Sequence, residues 1–178
     1  MSTGKKNTNI DFTVMLYFKI DKDILNRSVS EDQGGQEGAP QIMYLFSFED
    51  SVACFFTDTL TLMCDSWDRK KLQIPAGAIT PGIWYHLTLS SSADGNSYLL
   101  VQDSDKIIGE DNATQFGFRQ NVLYGWKSCL GDCVSSYGFI GGIRELVMLG
   151  REISKEDATR AKNLILTYDS TIKAYFRF

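Results

Sequence analysis

Three short groups of oxygen-bearing side chains in this sequence have the chemistry of a hard-cation site. They are Asp94-Gly95-Asn96, Asp103-Ser104-Asp105 and Asp111-Asn112. A calcium ion takes about six to eight oxygen ligands at about 2.3–2.6 Å, so clustered carboxylates and amides in loops suit it. Asp94, Asn96, Asp103 and Asp105 are the candidate ligands, and calcium is the cofactor these residues suggest. Ordinary turns explain the same residues without a metal, because Asp and Asn hydrogen-bond their own backbone.

Catalytic groupings are thinner. His86 is the single histidine, so multi-histidine metal sites are excluded and any triad would rest on one residue. It lies in an alternating segment that reads as packing, and no Gly-x-Ser-x-Gly elbow accompanies it. A serine without a base stays protonated and unreactive. Retaining glycoside hydrolysis needs two carboxyls about 5–5.5 Å apart. On a strand that means same-face spacing such as Glu-x-Asp-x-Glu, which does not occur here. Glu49-Asp50, Asp103-x-Asp105, Glu110-Asp111 and Glu156-Asp157 read instead as strand ends or loops. The expectation is that the chain is not an enzyme.

Cysteines, sequons and aromatics complete the chemical inventory. Cys54, Cys64, Cys129 and Cys133 allow three pairings. Their C-x9-C and C-x3-C spacings lack the paired C-x2-C of a zinc ribbon. If residues 51–56 and 60–65 form a hairpin, Cys54 faces Cys64 and Phe56 faces Leu62, and a bridge needs little backbone movement. Cys129 and Cys133 would close only a small loop. Four free thiols are the alternative, with Cys54 and Cys64 as small core residues. Asn26-Arg27-Ser28 and Asn112-Ala113-Thr114 are candidate N-glycosylation acceptors. Together with paired cysteines they point to an extracellular or cell-surface protein, a reduced cytoplasmic chain being the alternative. Trp67, Trp126 and Tyr137 sit beside loop signals and are the candidate binding aromatics, since a partly desolvated ring is the usual anchor of an interface.

The elements that must position these residues are strands. In 11–20, Phe12, Val14, Leu16, Phe18 and Ile20 alternate with Thr13, Met15, Tyr17 and Lys19, the period of a half-buried strand. Segments 41–48, 52–56, 60–64, 84–90, 98–102, 121–124, 139–149 and 173–178 follow the same reading, with Ile42, Tyr44, Phe46 and Phe48 sharing one face of the second. Pro81-Gly82 and Asp94-Gly95-Asn96 punctuate them. Residues 26–40 are acidic and Gly-rich, an exposed loop rather than a linker. Ser154-Lys-Glu-Asp157 opens the one convincing helix, predicted to run to about Asn163, with Ser154 as its cap.

The 178 residues suit one domain, with 1–9 as an N-terminal extension and 10–178 as the folded unit. A balance of 18 Lys+Arg against 22 Asp+Glu argues against nucleic acid, whose binding rests on clustered cations. No apolar run approaches the ~20 residues needed to cross a bilayer, so no direct membrane insertion is expected.

The order of landmarks resembles the laminin G-like domain of the concanavalin A-like lectin/glucanase superfamily. The carriers are FTVMLYFKI (12–20), PGIWYHLTLS (81–90), SYLLVQDSDKII (97–108), VLYGW (122–126), FIGGIRELVMLGREISKEDATRA (139–161) and IKAYFRF (172–178). The 139–161 piece is the most specific: strand, Arg151 turn, Ser-capped helix. Tyr17 stands where Trp is usual, Asp103-Ser-Asp105 where Asp-Gly is usual, and Arg144 where Asp is common. The resemblance implies an all-β, antiparallel jelly-roll sandwich with one short C-terminal helix before the last strand. Members bind glycans or proteins, often with calcium, and a minority hydrolyse β-glucans. The expectation is a non-enzymatic binding or adhesion module that recognises a glycan or protein partner through rim loops or a sheet face. It would belong to a larger protein or assembly. The alternatives are a structural protein–protein interaction domain without glycan affinity, and a β-glucan hydrolase of the same fold.

Overall fold

The computed structural model describes residues 9–24, 42–48, 51–66, 70–104, 106–114, 116–119, 128–130, 139–161 and 172–176. Asn26, Trp67, Asp105, Trp126, Cys133, Tyr137 and the strand expected over 121–124 lie outside them. In chain order the elements are β1 (Asn9–Ile10), β2 (Phe12–Ile20), β3 (Met43–Phe48), β4 (Val52–Phe56), β5 (Leu62–Ser66), β6 (Lys71–Ile74) and β7 (Tyr85–Ser91). There follow β8 (Ser97–Asp103), β9 (Lys106–Ala113), β10 (Phe118–Arg119), β11 (Ser128–Leu130), β12 (Gly141–Leu149), helix α1 (Lys155–Ala161) and β13 (Ile172–Phe176).

Two antiparallel sheets carry the fold, one ordered β13-β12-β2-β7-β8-β9 and the other β11-β3-β4-β5-β6, beside a small β1-β10 pair. The result is an all-β jelly-roll sandwich with one short helix before the last strand. Alternation explains why the sheets stack. On β2 the side chains of Phe12, Val14, Leu16, Phe18 and Ile20 are fully buried between the layers. Phe18 meets Phe56 of the facing sheet at 5.5 Å between ring centres, and Phe12 meets Phe48 at 6.4 Å. Each such pair adds to the area term that drives burial.

The predicted hairpin is present. Cys54 pairs with Cys64 and Phe56 with Leu62 in the β4–β5 register, and Cys54–Cys64 is a buried disulfide with Cα atoms 4.1 Å apart. Its second strand starts at Leu62, two residues later than the alternation predicts. The turn takes up Leu60, whose amide donates to the Thr57 carbonyl at 2.9 Å. Cys129 lies in β11, opposite Ser47.

Two predicted features are corrected. In 41–48 a register shift between Tyr44 and Phe46 breaks the alternation, so Met43 and Leu45 face the core before it and Phe46 and Phe48 after it. Residues 106–113 form β9 rather than loops, so Glu110, Asp111 and Asn112 sit mid-strand. Their polarity hides the strand because β9 is mostly solvent-facing. Gly109 is there for packing: a Cβ would stand 2.7 Å from Ile74 Cγ2 of β6. The helix is described over Lys155–Ala161, and Ser154 caps it as predicted, its Oγ accepting from the Asp157 amide at 3.0 Å.

Candidate functional site

The outer face of the six-stranded sheet collects the residues that alternation turns away from the core. Cross-strand register lines them up in rows. Arg144 pairs with Tyr17, Tyr17 with His86, and His86 with Gln102, across β12, β2, β7 and β8. The rings of Tyr17 and His86 lie 4.8 Å apart. His86 is buried, on this outer face rather than between the sheets.

Trp84, just before β7, lies across the end of that face. Gly142 makes room for it, since a Cβ there would approach the indole Cη2 to 2.8 Å. The Arg144 guanidinium stands over this indole at 4.4 Å and over the Tyr17 ring at 5.0 Å. The Lys19 ammonium lies 5.1 Å from the centre of the same indole. A cation over a ring face is attracted by the ring quadrupole, so two positive charges are held here by aromatic faces. Among the described residues neither cation has a carboxylate within ion-pair distance. Burial holds the Tyr17 phenol above its ordinary range, with Glu145 adding to the shift and Arg144 opposing it.

A cavity of about 470 Å³ opens beside the indole, walled by Lys19, Asp21, Lys22, Asp23 and Trp84. Further along the same face, Gln102 is 1% exposed and both its amide atoms lack a hydrogen-bond partner, as does the buried Thr88 hydroxyl. An unpartnered buried amide costs about 1–3 kcal/mol, and such groups are rare enough in folded proteins to need a reason.

The expected calcium ligands do not converge. Asp94 and Asn96 occupy the β7–β8 turn, whereas Asp103 ends β8, seven residues on, or roughly 20 Å at about 3.3 Å per residue. The Asp94 carboxylate is already engaged within its turn. It accepts from the Ser92 hydroxyl, from the Asn96 amide at 3.0 Å and from Asn96 Nδ2 at 2.8 Å. These bonds, the Ser92 one foremost, hold it below the usual carboxylate range. Asp111 accepts from the Gln73 amide at 2.8 Å and so ties β9 to β6. Among the described residues no group of three or more His, Cys, Asp or Glu side chains is placed to hold a metal ion. Asp94 and Asp111 thus make the local contacts that the turn reading expects, while Asp105 lies outside the described residues. Asn112 and Thr114 of the second sequon are exposed beside a cavity of about 410 Å³ that Asn96, Tyr98 and Glu152 also line.

Trp84, Lys19, Arg144 and Gln102 were not singled out as binding residues from the sequence. A signal was present: Tyr17 and Arg144, two of the departures from the laminin G-like pattern, are direct cross-strand partners.

The chain matches no protein-family model and no curated protein. Solved structures do match its fold. A Bacteroides ovatus protein described as a candidate carbohydrate binder superposes with a TM-score of 0.62 at 13% identity, over 97% of this chain and 46% of its own. The binding domain of botulinum neurotoxin serotype D gives 0.54 at 12% identity, over 89% of this chain and 38% of its own. A heptameric pentraxin from Limulus polyphemus gives 0.55 at 11% identity, over 97% of this chain and 83% of its own. This chain thus spans less than half the length of the first two. At such identities the likeness establishes a shared jelly-roll sandwich. Among the described residues no helix is long and apolar enough to cross a membrane.

Proposed function

We propose that this chain is a non-enzymatic recognition module that holds a glycan against the outer face of its six-stranded sheet. One observation carries the reading: Arg144 and Lys19 both sit against the Trp84 indole, without carboxylate partners among the described residues, beside a cavity of about 470 Å³. A ring with hydrogen-bond donors at its border is what a saccharide needs, an apolar surface for its C–H face and polar groups for its hydroxyls. The row of Arg144, Tyr17, His86 and Gln102 contains no carboxyl pair of the kind hydrolysis uses, which favours binding over catalysis. The carbohydrate-related and receptor-related names of the structural neighbours support the same reading at the level of analogy.

Kinship with laminin G-like domains is part of this proposal, supported by the strand, Arg151 turn and Ser154-capped helix of residues 139–161. The buried Cys54–Cys64 disulfide favours an oxidising, extracellular or cell-surface setting. There 10–178 would act as one domain of a larger protein or assembly.

The test is an array of immobilised glycans probed with and without a chelator. Wild type is expected to retain a defined glycan set in both conditions. The double variant Arg144→Met/Lys19→Met, with unchanged circular dichroism, is expected to lose it. An array on which wild type retains nothing, or on which the double variant retains the same set, contradicts the proposal.

A further inference from the structure

Resting on that reading, we infer that the Trp84 cavity takes a saccharide bearing a carboxylate, and binds it without a metal. The cavity is polar in two opposite senses. Lys19, Lys22, Asp21 and Asp23 line it, and the Arg144 guanidinium stands over the same indole as the Lys19 ammonium. Asp21 Oδ1 accepts from the Asp23 amide at 3.3 Å, and Asp23 is exposed.

Each sign selects a different part of a ligand. Carboxylates accept hydrogen bonds, so Asp21 and Asp23 suit sugar hydroxyls. Lys19 and Arg144, held by aromatic rings and with no ion-paired acid among the described residues, suit an anionic group. The Arg144 guanidinium is the better placed of the two. It stands over the Trp84 and Tyr17 rings at 4.4 and 5.0 Å, and its residue is exposed. A guanidinium so held keeps its N–H fork free for bidentate contact with a carboxylate. A molecule with both features, several hydroxyl donors and one carboxylate, matches both signs. A neutral sugar leaves Lys19 and Arg144 without an anionic counterpart.

The discriminating probes are a glucuronic-acid-ended disaccharide, a sialic-acid-ended trisaccharide, the methyl ester of each, and sodium sulfate. All are titrated by calorimetry against the full chain, in chelator. At least one free acid is expected to bind, with its methyl ester about tenfold weaker or worse, as the loss of a charge-assisted contact implies. Arg144→Met is expected to weaken the acid by a similar factor and to leave the ester unchanged. Which acid binds separates the two sugar classes. Equal binding of acid and ester overturns the inference while leaving a glycan module standing. Displacement of the sugar by sulfate at equal concentration also overturns it, by making the site a plain anion site. Binding that requires calcium overturns it as well. If no sugar binds, acid or ester, the inference fails, and an empty array beside it shows that the recognition reading has failed too.

Discussion

The outer face of the six-stranded sheet has two halves that share strands but not chemistry. Toward one end the polar groups are sealed and, Thr88 apart, paired. Thr13 Oγ1 lies 2.8 Å from Ser90 Oγ and from the Arg151 carbonyl, Ser90 Oγ accepts from the Ile153 amide at 3.1 Å, and the Tyr98 hydroxyl donates to the Ile153 carbonyl at 2.8 Å. Met15, Leu100, Leu149, Ile153 and Ala158 close over them as a second small core. Burial keeps the Tyr98 phenol well above its ordinary range. Toward the other end Gln102 is buried without a hydrogen-bond partner among the described residues, and Arg144 and Lys19 lean on rings. One half is organised to hold the 150–161 segment down. The other carries a buried amide that folding alone does not reward, as the proposed binding face would.

Mutations should separate the halves. Ile153→Ala is expected to have the largest effect, a loss of about 2–4 kcal/mol in urea unfolding, with glycan retention by the folded fraction unchanged. Tyr98→Phe follows, at about 1–2 kcal/mol, because the buried Ile153 carbonyl loses its best donor. Gln102→Leu should go the other way. Replacing an unpartnered buried amide by an apolar side chain of similar size is expected to be neutral or to stabilise by up to about 1 kcal/mol. A large destabilisation at Gln102 would show that both halves are built alike.

The smallest effect is pH-dependent. Burial, then the nearby charges of Asp11 and Asp94, raise the Glu152 carboxyl above its ordinary range. Its protonated form is therefore favoured in the folded state. The stability that this lends is complete below the ordinary glutamate range and is lost as pH rises through the raised value. Glu152→Gln should match wild type at low pH and exceed it near neutrality, by about 0.5 kcal/mol at most since the side chain is largely exposed. Urea midpoints measured across that range check it.

The legible part of the fold was wherever burial is one-sided. The period of two in 11–20 and 84–90 marks β2 and β7, and the hairpin geometry alone pairs Cys54 with Cys64. The same logic fails where a strand faces solvent on most positions. Asp111-Asn112 reads as loop, yet β8 offers residues 106–113 a ladder and Ile74 packs against Gly109. The site was less legible still. Trp84, Lys19, Arg144 and Gln102 are far apart in the chain, and only the register of four strands brings them onto one face. Loop-adjacent Asp and Asn were the more visible chemistry, but Asp94 and Asp103 stand at opposite ends of β8.

The most direct test of a sheet-face site is a ¹⁵N NMR titration of the full chain with the glucuronic-acid-ended disaccharide. The account predicts that the Trp84 indole N–H and the amides of Lys19, Gly142 and Arg144 shift together, while those of Asp94, Gly95 and Asn96 stay put. Shifts gathered at the 92–96 turn, with the Trp84 indole unmoved, would contradict it.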